Sequence, residues 1–193
     1  MISHDQIKIK VFKNVIDKQK QEELKTLMLE NRIFPWYFIK NVSDSKSDSK
    51  QARPGMQHEF CSIKKGINSK YFNDVTCIVN FMKKDKIEVL RTNSFLQFPN
   101  PFLKSYDTPH YDLPQIKEKY TVFLYYLISS DGDTIFFDKN KKIIKKVTPE
   151  QGTAVLFDGS YLHTAYQPYK NIRCVINFNI TGTYEENLKY ANS

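Results

Sequence analysis

The sequence predicts a mainly β, α+β protein: a sandwich or jelly roll of eight short strands, with helices gathered towards the N-terminus. Three observations lead there. From residue 87 to residue 180, short apolar or alternating runs succeed one another between turn-forming residues, without helical periodicity. Ahead of residue 87, two segments carry apolar residues at helical spacing. At 193 residues the chain is long enough to bury one core without disulfides or a structural metal.

In chain order, Ile7, Ile9 and Val11 alternate with Lys8 and Lys10, the pattern of a short strand. Asp17 is placed to cap a helix running to about residue 31, with Leu24, Leu27 and Met28 on one face. Residues 34–39 are aromatic and β-prone. Residues 43–49 alternate serine with Asp and Lys; this polar stretch reads as a surface excursion, with a substrate-side lid as the functional alternative. A strand is expected over 58–63. A second helix is expected over 71–82, where Val75, Ile78, Val79 and Met82 recur at helical spacing. The β series then covers 87–98, 104–112, 120–128, 134–137, 142–147, 153–157, 162–166 and 172–180, with no further helix before the C-terminus. This gives an accessory segment 1–86, a core 87–182 and a tail 183–193, all of one domain.

Two runs show which faces are buried. Residues 120–128 have almost no polar side, so one face should line a cavity while the other packs on the N-terminal helices. Residues 172–180 divide by parity. Ile172, Cys174, Ile176, Phe178 and Ile180 share one face, and Arg173, Val175, Asn177 and Asn179 the other. An arginine on a buried strand needs a counter-charge, and nothing acidic is near it in sequence. A bound carboxylate would supply one, matched to the bidentate fork of the guanidinium.

Composition excludes several classes. Only 6 glycines argue against a glycine-rich nucleotide-binding architecture. Cys61, Cys77 and Cys174 are odd in number and form no CxxC pair, which argues against a zinc ribbon or redox dithiol and reads as free thiols in a reducing compartment. No charged, then apolar, leader opens the chain and no apolar run approaches bilayer length, so a cytoplasmic protein without a membrane partner is expected. The net charge of +8 comes largely from lysine scattered through an Asn- and Ile-rich sequence, a composition that often reflects an AT-rich coding genome rather than a polyanionic partner.

The chemistry centres on Thr108-Pro109-His110-Tyr111-Asp112. On an extended strand, a spacing of two places His110 and Asp112 on the same face, roughly 7 Å apart along the backbone. An imidazole and a carboxylate so placed can share a metal ion. His163, after the run 153–157 and an Asp158-Gly159 turn, is the best third ligand. Two histidines and one carboxylate with open positions form the facial triad of non-haem Fe(II) oxygenases. His58 and His4 read as ordinary packed or surface residues.

With these residues in place the sequence resembles the Fe(II)- and 2-oxoglutarate-dependent dioxygenases, especially the prolyl 4-hydroxylase-like branch. The resemblance rests on His110-Tyr111-Asp112, Leu124-Tyr125-Tyr126-Leu127, Gly132-Asp133-Thr134, His163, and Arg173 ten residues after that histidine, across about residues 87–182. It implies a double-stranded β-helix, a cupin-like jelly roll, with accessory helices packed on one sheet. It implies Fe(II) held by His110, Asp112 and His163, and Arg173 on the distal carboxylate of 2-oxoglutarate. Tyr126 would assist on the cavity side of its strand, and Thr134 falls where some members contact the cosubstrate. The implied reaction consumes O2 and 2-oxoglutarate, releases succinate and CO2, and hydroxylates a protein, peptide or small molecule, with a prolyl or other peptidyl substrate favoured by analogy. The sequence also departs from the family. Phe98 stands where related enzymes carry a tyrosine that reaches the cosubstrate, leaving Gln97, Asn100 or Tyr106 to replace it. The second arginine of the DNA-alkylation-repair demethylases, six residues after the first, is Asn179 here.

Two other readings stand beside this one. The lysine-rich run 139–146 would suit a basic nucleic-acid-binding protein or a nucleic-acid-directed oxygenase, though Ile143 and Ile144 favour a solvated hairpin. A catalytically silent cupin-like binding module would keep the pocket without turnover. Trp36, Tyr37, Asn177 and Asn179 are pocket-side candidates that packing explains at least as well.

Overall fold

The computed structural model describes residues 7–42, 53–84 and 87–191. Among them, eleven strands make two antiparallel sheets, with three short α-helices. In order these are β1 (Ile9–Phe12), α1 (Lys18–Lys25), β2 (Tyr37–Ile39), β3 (Gly55–Ser62), β4 (Gly66–Ile67), α2 (Phe72–Val79), β5 (Val89–Gln97), β6 (Tyr120–Tyr126), β7 (Thr134–Phe137), β8 (Ile143–Val147), β9 (Ala154–Asp158), β10 (Leu162–Ala165), β11 (Arg173–Thr181) and α3 (Tyr184–Ala191). The large sheet runs β1-β9-β6-β11-β5-β3-β2, with β4 beside β3; the small sheet runs β10-β7-β8. Two antiparallel sheets face to face, with non-sequential neighbours, make the predicted jelly roll.

Asp17 caps α1 as expected, its Oδ1 accepting the Lys20 N–H at 2.8 Å, and the helix widens into a π turn over Thr26–Glu30. The amphipathic faces of α1 and α2 then cover one side of the large sheet. Leu24, Met28, Val75, Ile78 and Met82 meet Phe123 and Tyr125 of β6 and Ile176 and Phe178 of β11. The opposite face of β6 and β11 packs between the sheets, where Val122, Leu124, Tyr126 and Val175 meet Phe136, Val147 and Phe157. Each large side chain fully buried here contributes about 1.5–3 kcal/mol, so the two-sided strand β6 anchors both layers. The parity division of β11 holds; in β6, Val122, Leu124 and Tyr126 lie between the sheets, Phe123 and Tyr125 face the helices, and Ile128, beyond the strand end, packs on the helical side. β2, β3 and β4 extend the large sheet, so the N-terminal segment supplies strands as well as helices.

Two expectations are corrected. Residues 104–112 form no continuous strand; they touch the small sheet through two isolated bridges, Tyr106 with Tyr166 and His110 with His163. Pro109 lacks a ladder donor, and Asp107 Oδ1 accepts the Thr108 N–H at 2.9 Å, so local bonds replace the ladder. The chain also ends in a helix, α3. Thr183 and Glu186 form a reciprocal capping box, with the Thr183 N–H on Glu186 Oε2 at 2.7 Å and the Glu186 N–H on Thr183 Oγ1 at 3.3 Å. The lid alternative for 43–49, and His4, lie outside the described residues. None of the described helices is long and apolar enough to cross a membrane.

Candidate active site

His163 sits on β10, directly after the turn through Asp158 and Gly159. Tyr120 fixes that turn: its hydroxyl donates to Gly159 O at 3.0 Å and accepts the Leu113 N–H at 3.1 Å. One side chain therefore ties the backbone next to Asp112 to the loop leading into His163. A Cβ on Gly159 would collide with the Tyr120 ring, so this close approach requires glycine. His110 pairs with His163 through reciprocal backbone bonds of 2.9 and 3.1 Å, bringing their rings to a centroid distance of 4.9 Å. Upstream, the buried Arg53 donates to Ser105 O and Ser105 Oγ at 3.1 and 2.8 Å, holding the irregular segment against β3.

The ligand-capable atoms of His110, Asp112 and His163 all lie within 4.8 Å of one another. Asp112 Oδ1 is 3.9 Å from His110 Nε2 and 3.8 Å from His163 Nε2. Each imidazole turns its Nδ1 to a backbone carbonyl, His110 to Thr108 O at 3.2 Å and His163 to Tyr161 O at 3.1 Å. A carbonyl only accepts, so Nδ1 carries the proton and Nε2 offers a lone pair towards the carboxylate. Burial pushes the His163 pKa down to about 4, which keeps that lone pair free at neutral pH. Two imidazole Nε2 atoms and a carboxylate, all within 4.8 Å of one another, are a donor set that would suit a divalent iron.

Asp112 is held as an anion. Burial alone would raise its pKa, but His163, Arg91 and His110, with a hydrogen bond from Asn177, bring it well below the usual carboxylate range. Of the first three, Arg91 lies nearest, its Nη2 3.2 Å from Asp112 Oδ1. Asn177 and Asn179 both donate to Asp112 Oδ2 at 2.9 Å, and Arg91 Nε donates to Asn179 Oδ1 at 2.9 Å. These donors fix the rotation of the carboxylate before any metal arrives.

Further along the same face of β11 is Arg173, only 4% exposed. Its Nε donates to Gly132 O, Nη1 to Gln97 Oε1 and Nη2 to Thr134 Oγ1, each at 2.9 Å. The Tyr126 hydroxyl donates to the same Thr134 Oγ1 at 2.8 Å. Gly132 is needed there, since a Cβ would meet Tyr166 O and the Arg173 side chain. No carboxylate lies within 4.0 Å of the guanidinium among the described residues, and burial lowers its pKa, as for a cation without a close counter-charge. Beside it, Gln97 turns Oε1 to Arg173, and its Nε2 is buried with no partner. A buried guanidinium that lines the cavity with no carboxylate within 4.0 Å among the described residues fits a carboxylate ligand.

Both groups open onto one cavity of about 650 Å³ between the sheets, lined by His110, Asp112, His163, Thr134 and Arg173 with Leu124 and Val175. All six residues singled out from the sequence therefore converge, with Tyr126 reaching the cavity through Thr134. Of the residues named to replace the missing tyrosine, Gln97 is adjacent to Arg173; Asn100 instead accepts the Phe102 N–H, and Tyr106 stacks edge-on against Phe137. His58 is structural: its ring nitrogens meet Pro35 O and Ser69 Oγ, both at 2.8 Å, within a cluster of aromatic rings. Trp36 packs in the helical core and donates to Met28 O, and Tyr37 is exposed. The lysine-rich run lies on the β7–β8 hairpin, outside the cavity lining. Arg91 and Asn93 were not singled out. Their signal was the period-two spacing of Arg91, Asn93 and Gln97 in β5, the strand that pairs with β11.

No protein-family model and no curated protein sequence matches the chain. Solved structures do match it. An oxidoreductase of the 2OG-Fe(II) oxygenase family from Burkholderia pseudomallei gives a TM-score of 0.68 at 10% identity, over 90% of this chain and 84% of that one. A prolyl hydroxylase from Trichoplax adhaerens, in complex with a hypoxia inducible factor oxygen degradation domain peptide fragment, gives 0.66 at 13% identity, over 97% and 87%. The chain has the 2-oxoglutarate/Fe(II) oxygenase fold. A non-haem α-ketoglutarate-dependent epimerase from nogalamycin biosynthesis also aligns, with a TM-score of 0.60 at 9% identity over 91% and 76%. The oxygenase fold thus accommodates more than one reaction, and its use here must be argued from the site.

Proposed function

We propose that this protein is an Fe(II)- and 2-oxoglutarate-dependent dioxygenase that hydroxylates a C–H bond of a peptidyl or other substrate. The observation that carries the reading is one cavity holding a His110–Asp112–His163 cluster beside a buried Arg173 without a carboxylate partner. When bound, the iron and cosubstrate supply the oxidising chemistry: R–H, 2-oxoglutarate and O2 become R–OH, succinate and CO2. The chain's own residues bind, orient and shield. His110 and His163 offer Nε2, and Asp112 offers an oxygen whose direction Arg91, Asn177 and Asn179 have set. Arg173 takes the distal carboxylate, with Thr134 held by Tyr126 and with Gln97 at its side. Leu124, Val175 and Phe95 present apolar surface in the cavity and limit water near the reacting centre. A peptidyl substrate is favoured by the prolyl hydroxylases among the structural neighbours, and a reducing cytoplasmic setting suits the three free cysteines.

Anaerobic addition of Fe(II) and 2-oxoglutarate followed by O2 should yield succinate, faster with a peptide substrate than without. Succinate formation that persists in Asp112→Ala would refute the assigned ligands. Tight binding of both without any turnover, across a peptide library, would instead identify a silent binding module.

A further inference from the structure

The charged side chains around the cavity do not balance. Among the described residues they are Lys40, Arg91, Asp107, Asp112 and Arg173, beside the two histidines of the cluster, which are neutral when they hold a metal. Asp107 is matched by the buried Arg53, whose Nε lies 3.7 Å from Asp107 Oδ1. Lys40, Arg91 and Arg173 are then left against Asp112 alone, a surplus of two positive charges. Loading the site does not change this, because the two charges of Fe(II) meet the two of 2-oxoglutarate. With Arg173 given to the cosubstrate, the cation that remains at the cluster is Arg91. Its Nη2 is 3.2 Å from Asp112 Oδ1, the oxygen within 3.9 Å of both imidazoles. Its Nε is bound to Asn179 Oδ1, and its Nη1 has no partner among the described residues. The side chain is 22% exposed and lines the cavity, so a ligand there can reach it. A metal on Oδ1 draws on the same negative charge that Arg91 uses, which leaves this guanidinium in need of a second anion.

We propose that the substrate carries a carboxylate close to the C–H bond that is oxidised, and that Arg91 is the residue that selects it. This deepens the dioxygenase reading and rests on it. A guanidinium stays protonated and its N–H groups only donate, so its partner must be an acceptor. A carboxylate takes two parallel N–H bonds from it and cancels its charge. An amide of the same shape accepts through one atom and leaves the charge standing, and an ammonium is repelled. Lys40, exposed just after β2 and lining the same cavity, adds to the attraction for an acid. A nucleic acid fits less well, since a polyanion needs a basic track and the lysine-rich run 139–146 lies outside the cavity lining. The carboxylate has two sources, an acidic side chain in a polypeptide or a free small organic acid, and the chemistry is the same.

The test uses the full chain loaded with Mn(II) in place of Fe(II), with 2-oxoglutarate in saturating excess, and reads paramagnetic broadening of probe proton resonances. The probes are N-acetyl-Gly-Xaa-Gly-N-methylamide with Xaa as Asp, its near-isostere Asn, or Lys, together with propionate and a short oligothymidylate. The Asp peptide should bind about ten- to a hundredfold more tightly than the Asn peptide, and the Lys peptide most weakly. Arg91→Gln, which keeps a donor and removes the charge, should bring the Asp peptide to the level of the Asn peptide. Propionate binding with the same Arg91 dependence assigns a small-molecule source, whereas selective peptide binding assigns a polypeptide; either upholds the class. Equal or tighter binding of the Asn or Lys peptide, a preference that survives Arg91→Gln, or no binding of any probe at millimolar concentration overturns it. So does tighter binding of the oligothymidylate, or an acid that binds only by displacing 2-oxoglutarate, which places it on Arg173. The Asp, Asn and Lys comparison is made on the unaltered protein, so it stands whether or not the variant folds. Failure of Mn(II) itself to bind, read from its electron paramagnetic resonance signal, overturns the dioxygenase reading beneath it.

Discussion

Replacing Arg173 with methionine keeps the length of the side chain and removes its charge. In the ligand-free protein the change deletes three hydrogen bonds of 2.9 Å, to Gly132 O, Gln97 Oε1 and Thr134 Oγ1. Bonds to a charged group net about 1.5–3 kcal/mol each. Against them stands the desolvation of a fully buried cation, several kcal/mol per ion, which methionine does not incur. The two oppose one another, and the unfolding midpoint of the variant without ligand reads their balance. The bound state is different: losing one partner of a buried charge pair costs about 2–5 kcal/mol, between about thirtyfold and a few thousandfold in affinity for 2-oxoglutarate. Thermal unfolding separates the two effects. At a hundredfold excess over its Kd, 2-oxoglutarate adds about 2.7 kcal/mol to the unaltered protein, or about 5–11 °C for a domain of this size. At the same concentration Arg173→Met should show a shift of at most about 0.9 kcal/mol, about 2–3.5 °C, falling to nothing at the upper end of that affinity loss. An undiminished ligand-induced shift would refute the assignment of Arg173 to the carboxylate.

Three further outcomes are expected. In the metal-free protein, His163 titrates at about 4 when folded because it is buried, and at about 6.5 when unfolded. Its folded pKa is depressed, so the stabilisation is fully present above about pH 6.5 and is lost as pH falls towards 4, a loss of about 3 kcal/mol; urea midpoints across that window should show it, and His163→Gln should flatten the slope. Asp112→Ala should abolish Fe(II) binding by calorimetry while leaving far-ultraviolet circular dichroism unchanged, because its partners Asn177 and Asn179 stay within the β11 ladder. Asp17→Ala removes the N-cap of α1 and should lower stability by about 1 kcal/mol, read by chemical denaturation, without altering 2-oxoglutarate affinity.

The readable parts of the sequence were those where one residue type has one physical outlet. A strand apolar on both faces, such as β6, must be sandwiched, and the parity of β11 puts Arg173 in the interior, where only an anion relieves it. His110, Asp112 and His163 stood out because few packing roles need those three types together. The irregularity of 104–112 was hidden because a strand-like composition outweighed the single proline donor gap at Pro109. The capping box of Thr183 and Glu186 was visible but sat in a segment read as a tail. Arg91 and Asn93 were illegible for a different reason. A polar residue in a strand looks like a solvated face until the register is known, and only the pairing of Asn93 with Asn177 and of Arg91 with Asn179 turns those side chains towards the cavity.

The backbone pair between His110 and His163 has a thermodynamic consequence. Two of the three proposed ligands, His110 and Asp112, ride on a segment pinned to the small sheet by two bridges, whereas His163 belongs to a regular strand. Segments with few ladder bonds open at lower free energy than the sheets around them. A cation held by these three residues would add a further tie between the segment and β10, beyond the backbone bonds already formed, without demanding that either sheet rearrange. Amide exchange at His110 should accordingly slow by orders of magnitude on metal loading, while the amides of β6 and β11 keep the protection of the whole fold.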